Sequence, residues 1–131
     1  MELSEKAQWR LSLGYKYFNE EPRNVPAAAR EFNRVTQLAP NWSQGYALLA
    51  AACEEMGDID RAISTCRAAM QVVPEDAQHL ITLGRIYIRK HDYTKAVKIL
   101  RKAILLRPQN GEENAHLLLI EALDATGRKS G

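Results

Sequence analysis

The feature that most constrains this chain is that it repeats itself every 34 residues. Pro40, Pro74 and Pro108 are 34 and 34 apart, and Ala28, Ala62 and Ala96 keep the same spacing. Phe32, Cys66 and Leu100 form a third column, and Val35, Ala69 and Ala103 a fourth. Each block is of helix length, with a small residue near its start, an apolar stripe along it and a proline after it. The proline lacks a backbone donor and cannot continue the helix. A period of this size means a short supersecondary unit that cannot bury its apolar stripe alone and must stack on its neighbours.

A second set of columns precedes the first. Leu13-Gly14, Leu49-Ala50 and Leu83-Gly84 are followed by Tyr17, Cys53 and Tyr87, and then by a turn. The spacing is 36 and then 34, so the first unit has two additional residues within Asn19–Pro26, a stretch rich in turn formers. Asn24 is placed to cap the next helix, with Pro26 in its first turn. In the later units Gly57 suits a left-handed helix terminator, and Asp60 and Thr94 are the candidate caps. The pattern predicts paired helices over about 4–19 and 26–39, 43–56 and 60–73, and 77–90 and 94–107. A seventh helix is expected over about 112–126: Leu119 lies 36 residues after Leu83, and Ile120, Leu123 and Gly127 fall where Gly84, Tyr87 and His91 do. It is either a cap over the last apolar face or the first part of an array that continues.

These residues carry a family resemblance. Leu49-Ala50, Cys53, Gly57-Asp58, Ala62, Ala69, Pro74 and Leu83-Gly84, Tyr87, Ala96, Ala103, Pro108 resemble the tetratricopeptide repeat, over about residues 7–126. The departures are the small Cys53 and Cys66, the insertion in the first unit and the half-present last unit. The resemblance implies an all-α fold: a right-handed α-solenoid of three helix pairs plus a C-terminal seventh helix. It implies one domain over 1–131, with repeats at about 7–42, 43–76 and 77–110. Trp9 is expected to pack on the first unit's second helix or to cover the N-terminal end, and Trp42 to sit at a joint between units.

Composition excludes several function classes. Of 131 residues, 46% are hydrophobic and 26% charged, as in a folded globular domain. Lys and Arg number 18 against 16 acidic residues, too even a balance for a chain devoted to nucleic acid or an anionic membrane. A basic run (Arg85, Arg89-Lys90, Lys95, Lys98, Arg101-Lys102, Arg107) reads as a solvated face, since Tyr87 is committed to packing. The N-terminus has no secretory pattern, and no apolar run approaches the ~20 residues that span a bilayer. Cys53 and Cys66 fit buried, reduced thiols and a cytoplasmic setting. His79, His91 and His116 are scattered, without a second ligand at helical spacing, and read as surface or capping residues. Glu54-Glu55 and Glu112-Glu113 are sequence neighbours pointing about 100° apart, not acid/base pairs. Neither an enzyme site nor a cofactor or metal is expected.

The resemblance implies that the first helix of each unit lines a concave face that holds an extended peptide or a helix of another protein. Helical positions away from the packing columns give the candidate peptide-binding residues. They are Gln8, Leu11, Tyr15, Phe18 and Asn19 in the first unit, and Gln44, Ala47, Ala51, Glu54 and Glu55 in the second. The third unit offers Gln78, Ile81, Arg85, Ile88 and Arg89. Leu11, Tyr15, Phe18, Ile81 and Ile88 are expected to form an uncovered apolar strip. Glu54 and Glu55 either pair with Arg85 and Arg89 or read charges on a ligand. One subclass grips a terminal carboxylate with lysines, asparagines and an arginine on this face. Here those places hold Leu11, Tyr15, Leu48, Gln78 and Thr82, so that clamp is absent. The alternatives are self-association and a regulatory domain belonging to a larger enzyme.

Overall fold

The computed structural model describes residues 2–106, 108 and 110–130, with side chains described as far as Gly127. Among the described residues there are seven helices and no strand: α1 (Glu5–Asn19), α2 (Val25–Leu38), α3 (Ser43–Glu55), α4 (Ile59–Val72), α5 (Ala77–Arg89), α6 (Tyr93–Leu105) and α7 (Glu112–Ser130). The molecule is all-α, three helix pairs followed by a seventh helix. Every helix falls within a few residues of its predicted span, because the stripe and its terminators are strong local signals. Arg107, placed in the basic run and at the end of the sixth helix, lies outside the described residues.

The chain divides into two compact units, Met1–Val73 and Pro74–Gly131. In the first, α1 packs on α2, α2 on α3, and α3 on α4. In the second, α5 packs on α6 and α7 covers α6 with a lighter contact to α5. The repeat columns are the cores of these units. Ala28, Val35, Ala62, Ala69, Ala96 and Ala103 have no accessible surface, and Phe32, Cys66 and Leu100 are buried beside them.

Small residues in the first helix of a pair set how closely the second can approach. A Cβ at Gly14 would lie 2.4 Å from Phe32 Cε1, and one at Gly84 would lie 2.5 Å from Leu100 Cδ2. Both glycines therefore face the largest fully buried side chain of the partner helix. In the middle pair the same register sets Ala50 against the smaller Cys66, and both are buried. The additional methyl and the smaller partner compensate, which accounts for the departure of Cys66 from its bulky column. Cys53 and Cys66 are free thiols, and burial pushes the Cys53 thiol above its ordinary value, against a smaller opposing effect of Arg61.

The turns within the later pairs share one solution. Gly57 takes φ +78°, Asp58 N–H bonds to Cys53 C=O at 2.9 Å, and Gly57 N–H bonds to Glu54 C=O at 3.0 Å. His91 takes φ +66°, with Asp92 N–H to Tyr87 C=O at 2.9 Å and His91 N–H to Ile88 C=O at 2.9 Å. These are paired bonds of the Schellman type, which satisfy the last carbonyls of a helix. The residue after the left-handed one then caps the next helix: Asp58 accepts from Arg61 N–H and Asp92 from Lys95 N–H. Asp60 and Thr94, expected as caps, instead lie inside α4 and α6; the close of the preceding helix fixes the cap two residues earlier. Asn24 caps α2 as the sequence predicts, accepting from Ala27 N–H, with Pro26 in the first turn.

Candidate functional site

On α1, Gln8 and Asn19 are exposed, Leu11 and Phe18 are half-buried, and Tyr15 is 43% exposed. Their spacing keeps Gln8, Leu11, Tyr15 and Phe18 on one face. Tyr15 meets the buried Phe32 ring edge-on at 5.8 Å, and Phe18 meets it tilted at 6.2 Å. An aromatic wall thus rises from the core of the first pair to the surface, where Tyr15 stays uncovered. On α3, Gln44 and Glu55 are exposed, while Ala47, Ala51 and Glu54 are half-buried.

One side chain that the sequence reading passed over joins the two sets. Arg23, in the inserted turn between α1 and α2, stacks its guanidinium 4.8 Å above the Phe18 ring. Its Nε donates to the Phe18 carbonyl at 2.7 Å, and its Nη1 lies 3.6 Å from a Glu55 carboxylate oxygen. The insertion therefore supplies a cation that covers one face of Phe18 and draws the C-terminal ends of α1 and α3 together. A basic residue among turn formers was the available signal.

In the second unit, Arg85 and Ile88 on α5 are half-buried and Arg89 is exposed. Ile81 is not: expected in the uncovered strip, it is buried. The reason is the turn into α7. A Cβ on Gly111 would lie 3.4 Å from Ile81 Cδ1 and 3.2 Å from Gln78 Nε2, so the Gly111 backbone sits over both residues. Gln78 Nε2 also donates to the Asn110 carbonyl. Gly111 has φ +83°, which a side chain rarely tolerates and which lets the backbone cross here. This part of the expected strip is occupied by the chain's own turn.

Two further expectations change. Trp9 is 59% exposed rather than packed away. It lies with Glu5, Lys6, Arg10, Arg34 and Leu38 around an open cleft of about 600 Å³ between α1 and α2, and Arg10 stacks beside its ring at 5.1 Å while bridging to Glu31 at 3.1 Å. His79 is buried rather than at the surface, its Nε2 3.5 Å from Asp76 Oδ2. Trp42 is half-buried next to Gly45 at the start of α3. Among the described residues no group of three or more His, Cys, Asp and Glu could hold a metal ion, and no helix is long and apolar enough to cross a membrane. Tyr87 is buried and unavailable for stacking on a base.

The geometry is that of a helical repeat with an exposed first-helix face, and the comparisons agree. The family model described as "Tetratricopeptide repeat" matches residues 54–113. The TPR2B domain of yeast Sti1, solved as a complex with pHsp70, superimposes with a TM-score of 0.83 at 22% identity. That match covers 92% of this chain and 98% of that one. The fold of this chain is that of a tetratricopeptide repeat protein. The tetratricopeptide repeat domain of Sgt2 from Aspergillus fumigatus gives a TM-score of 0.85 at 17% identity, over 98% of this chain and 83% of that one. At such identities the likeness shows the fold. The DnaJ homolog subfamily C member 7 homolog of Dictyostelium discoideum is 30% identical over 103 residues, or 76% of this chain. The chain spans 19% of the length of that relative.

Proposed function

We propose that this chain is a non-catalytic interaction module that holds a peptide or amphipathic helix of another protein against its first helices, in a scaffold or chaperone-like role. The observation that carries the reading is the uncovered aromatic ring of Tyr15, set on the buried Phe32 and flanked by Leu11 and Phe18 on one face of α1. A rigid aromatic anchored in the core and open at its edge offers a partner large contact area at low entropic cost. Ala47 and Ala51, half-buried on α3, leave room for a bulky anchor. Burial of one Leu or Phe side chain of the partner contributes roughly 1.5–3 kcal/mol.

The partner's anchors are apolar. The yeast Sti1 domain was solved with pHsp70, yet the places of the carboxylate clamp hold Leu11, Tyr15, Leu48, Gln78 and Thr82 here. None of these carries a cation to receive a terminal carboxylate. Gln8, Asn19, Gln44, Glu54, Glu55, Arg85 and Arg89 fix register by hydrogen bonds and charge, and Ile88 adds an apolar contact on α5. Two free thiols in the core suit a reducing, cytoplasmic setting. The test is capture of partners from native lysate with the intact chain and with Tyr15→Ala and Ile88→Glu. Loss of the same captured protein with both variants is expected; equal capture by all three forms excludes the face as the site.

A further inference from the structure

We propose that the outer face of α6 is a docking strip for an acidic segment of another protein, one that carries an apolar residue beside its carboxylates. Lys95, Lys98, Arg101, Lys102 and Leu105 are all exposed, Leu105 by 81%. At ~100° per residue they fall within about 120° of arc centred on Lys98, opposite the buried Ala96, Leu100 and Ala103. α6 has four cations and no carboxylate in its 13 residues. Its equivalents are mixed: α2 sets Glu31 among Arg30 and Arg34, and α4 sets Asp60 among Arg61 and Arg67. The charge on α6 is also uncompensated. Asp92, the N-cap, lies 3.7 Å from Lys95 Nζ, which sits 5.7 Å from the Tyr87 ring. Lys98, Arg101 and Lys102 make no ion pair among the described residues.

Lys95 and Arg101 stand one turn before and after Lys98, and Lys102 follows it at i,i+4, so each of these pairs repels and opposes the helix. Lys102 gains from its place in the last turn, near the negative end of the helix dipole. Lys95 in the first turn and Lys98 in the middle gain nothing of the kind. Helix stability therefore does not explain the pattern, whereas carboxylates arriving from a partner relieve the repulsion. The face is open for a reason internal to the repeat. α5 and α7 both pack on α6. The equivalent Arg30, Arg34 and Gln37 of α2 likewise stay exposed although α1 and α3 both pack on that helix. Its exposure thus does not depend on what adjoins either end of the chain. Shape and chemistry select the occupant. The cations run over about 10 Å of helix axis, a length that a few carboxylates match. Leu105 continues the strip past Lys102 and fits an apolar side chain, which a phosphate backbone does not offer. Stacking of bases needs an open aromatic, but Tyr87 is buried and Tyr93 is bound to His91 Nδ1 at 2.7 Å.

Fluorescence anisotropy of the full chain with a labelled synthetic peptide, Leu followed by eight Glu, tests the strip. Saturable binding is expected at about 50 mM salt, weakening several-fold by about 200 mM as the charges are screened. Lys98→Gln combined with Lys102→Gln should weaken it roughly tenfold or more, and Leu105→Gln by about threefold to tenfold. Arg30→Gln combined with Arg34→Gln, at the equivalent places on α2, should leave it unchanged. Lys98→Gln alone should not lower the thermal midpoint, because no stabilising pair is lost. Absence of saturable binding overturns the proposal, as does equal weakening by the α6 and α2 double variants. A lowered midpoint with Lys98→Gln overturns it by showing that the charge is already compensated. Tighter binding of a single-stranded oligonucleotide or of phosphatidylserine vesicles, lost in the α6 double variant, assigns the strip to phosphates and overturns it. So does self-association abolished by that variant, which assigns the strip to a second copy.

Discussion

Replacing Gly14 with alanine separates two opposing effects whose sizes follow from the geometry. Gly14 lies inside α1, where alanine is the better helix former by roughly 0.8–1 kcal/mol. The new methyl would sit 2.4 Å from Phe32 Cε1 and 2.6 Å from Cδ1. Carbon pairs rest at about 3.5–4.0 Å, so the ring or the helix must yield by about an ångström. Phe32 cannot swing aside freely: it is buried, with Tyr15 edge-on at 5.8 Å and Phe18 at 6.2 Å. Overpacking of a tight core costs about 1–3 kcal/mol, which exceeds the propensity gain. Gly14→Ala should therefore lower stability by about 0.5–2 kcal/mol. Urea and thermal unfolding in a double-mutant cycle with Phe32→Val give the decisive measurement. Without the ring carbons the methyl has room, so Gly14→Ala in the Phe32→Val background should be neutral or stabilising by up to about 1 kcal/mol. Stabilisation of the parent by alanine, or an equal loss in both backgrounds, would refute the idea that helix approach in the first pair is set by this contact.

Other expectations concern the turns, the thiols and the clasp. Asp58→Ala and Asp92→Ala should each cost about 1 kcal/mol in urea unfolding, whereas Asp60→Ala and Thr94→Ala should stay within about 0.5 kcal/mol. His91→Gly should stabilise by about 0.5–1 kcal/mol in the same assay, since glycine takes the left-handed φ of +66° without the Cβ penalty. Cys53, with its thiol raised by burial, should resist iodoacetamide in the folded chain and react on unfolding. Because the folded thiol ionises at higher pH than the unfolded one, its effect on stability is absent below the unfolded value. Stability then falls as pH rises above it, and Cys53→Ala should flatten that alkaline decline. Arg23→Ala should lower stability by less than about 1 kcal/mol, since its ion pair with Glu55 is substantially exposed, and should alter capture of any partner that touches Phe18.

The helices and their ends were legible because each is marked within its own segment. Apolar residues at helical spacing, a proline after the stripe and Asn24 before it act over a few residues, whatever the rest of the chain does. The caps were less legible. Asp58 and Asp60 are equally good capping types, and only the paired backbone bonds that close α3 at Gly57 decide between them. His91 shows the same limit from the other side, a residue without glycine's freedom held at positive φ because the turn requires it. Within the candidate face, periodicity placed Tyr15 and Phe18 on one side of α1 and Ile81 on the corresponding side of α5. It carried no information on what else would arrive there.

Sequence alone determined that this chain makes helix pairs of one kind, repeated at a fixed interval, with glycine or alanine wherever two helices approach. Those properties are local or periodic, and the chemistry of single residues is enough to enforce them. Tertiary structure decided which faces remain open. Gly111 brings backbone over Ile81, Arg23 reaches from an inserted turn to Phe18 and Glu55, and Trp9 stays at the edge of a cleft. Accessibility is a property of everything that packs nearby, including residues 30 positions away, so no spacing rule within one helix contains it.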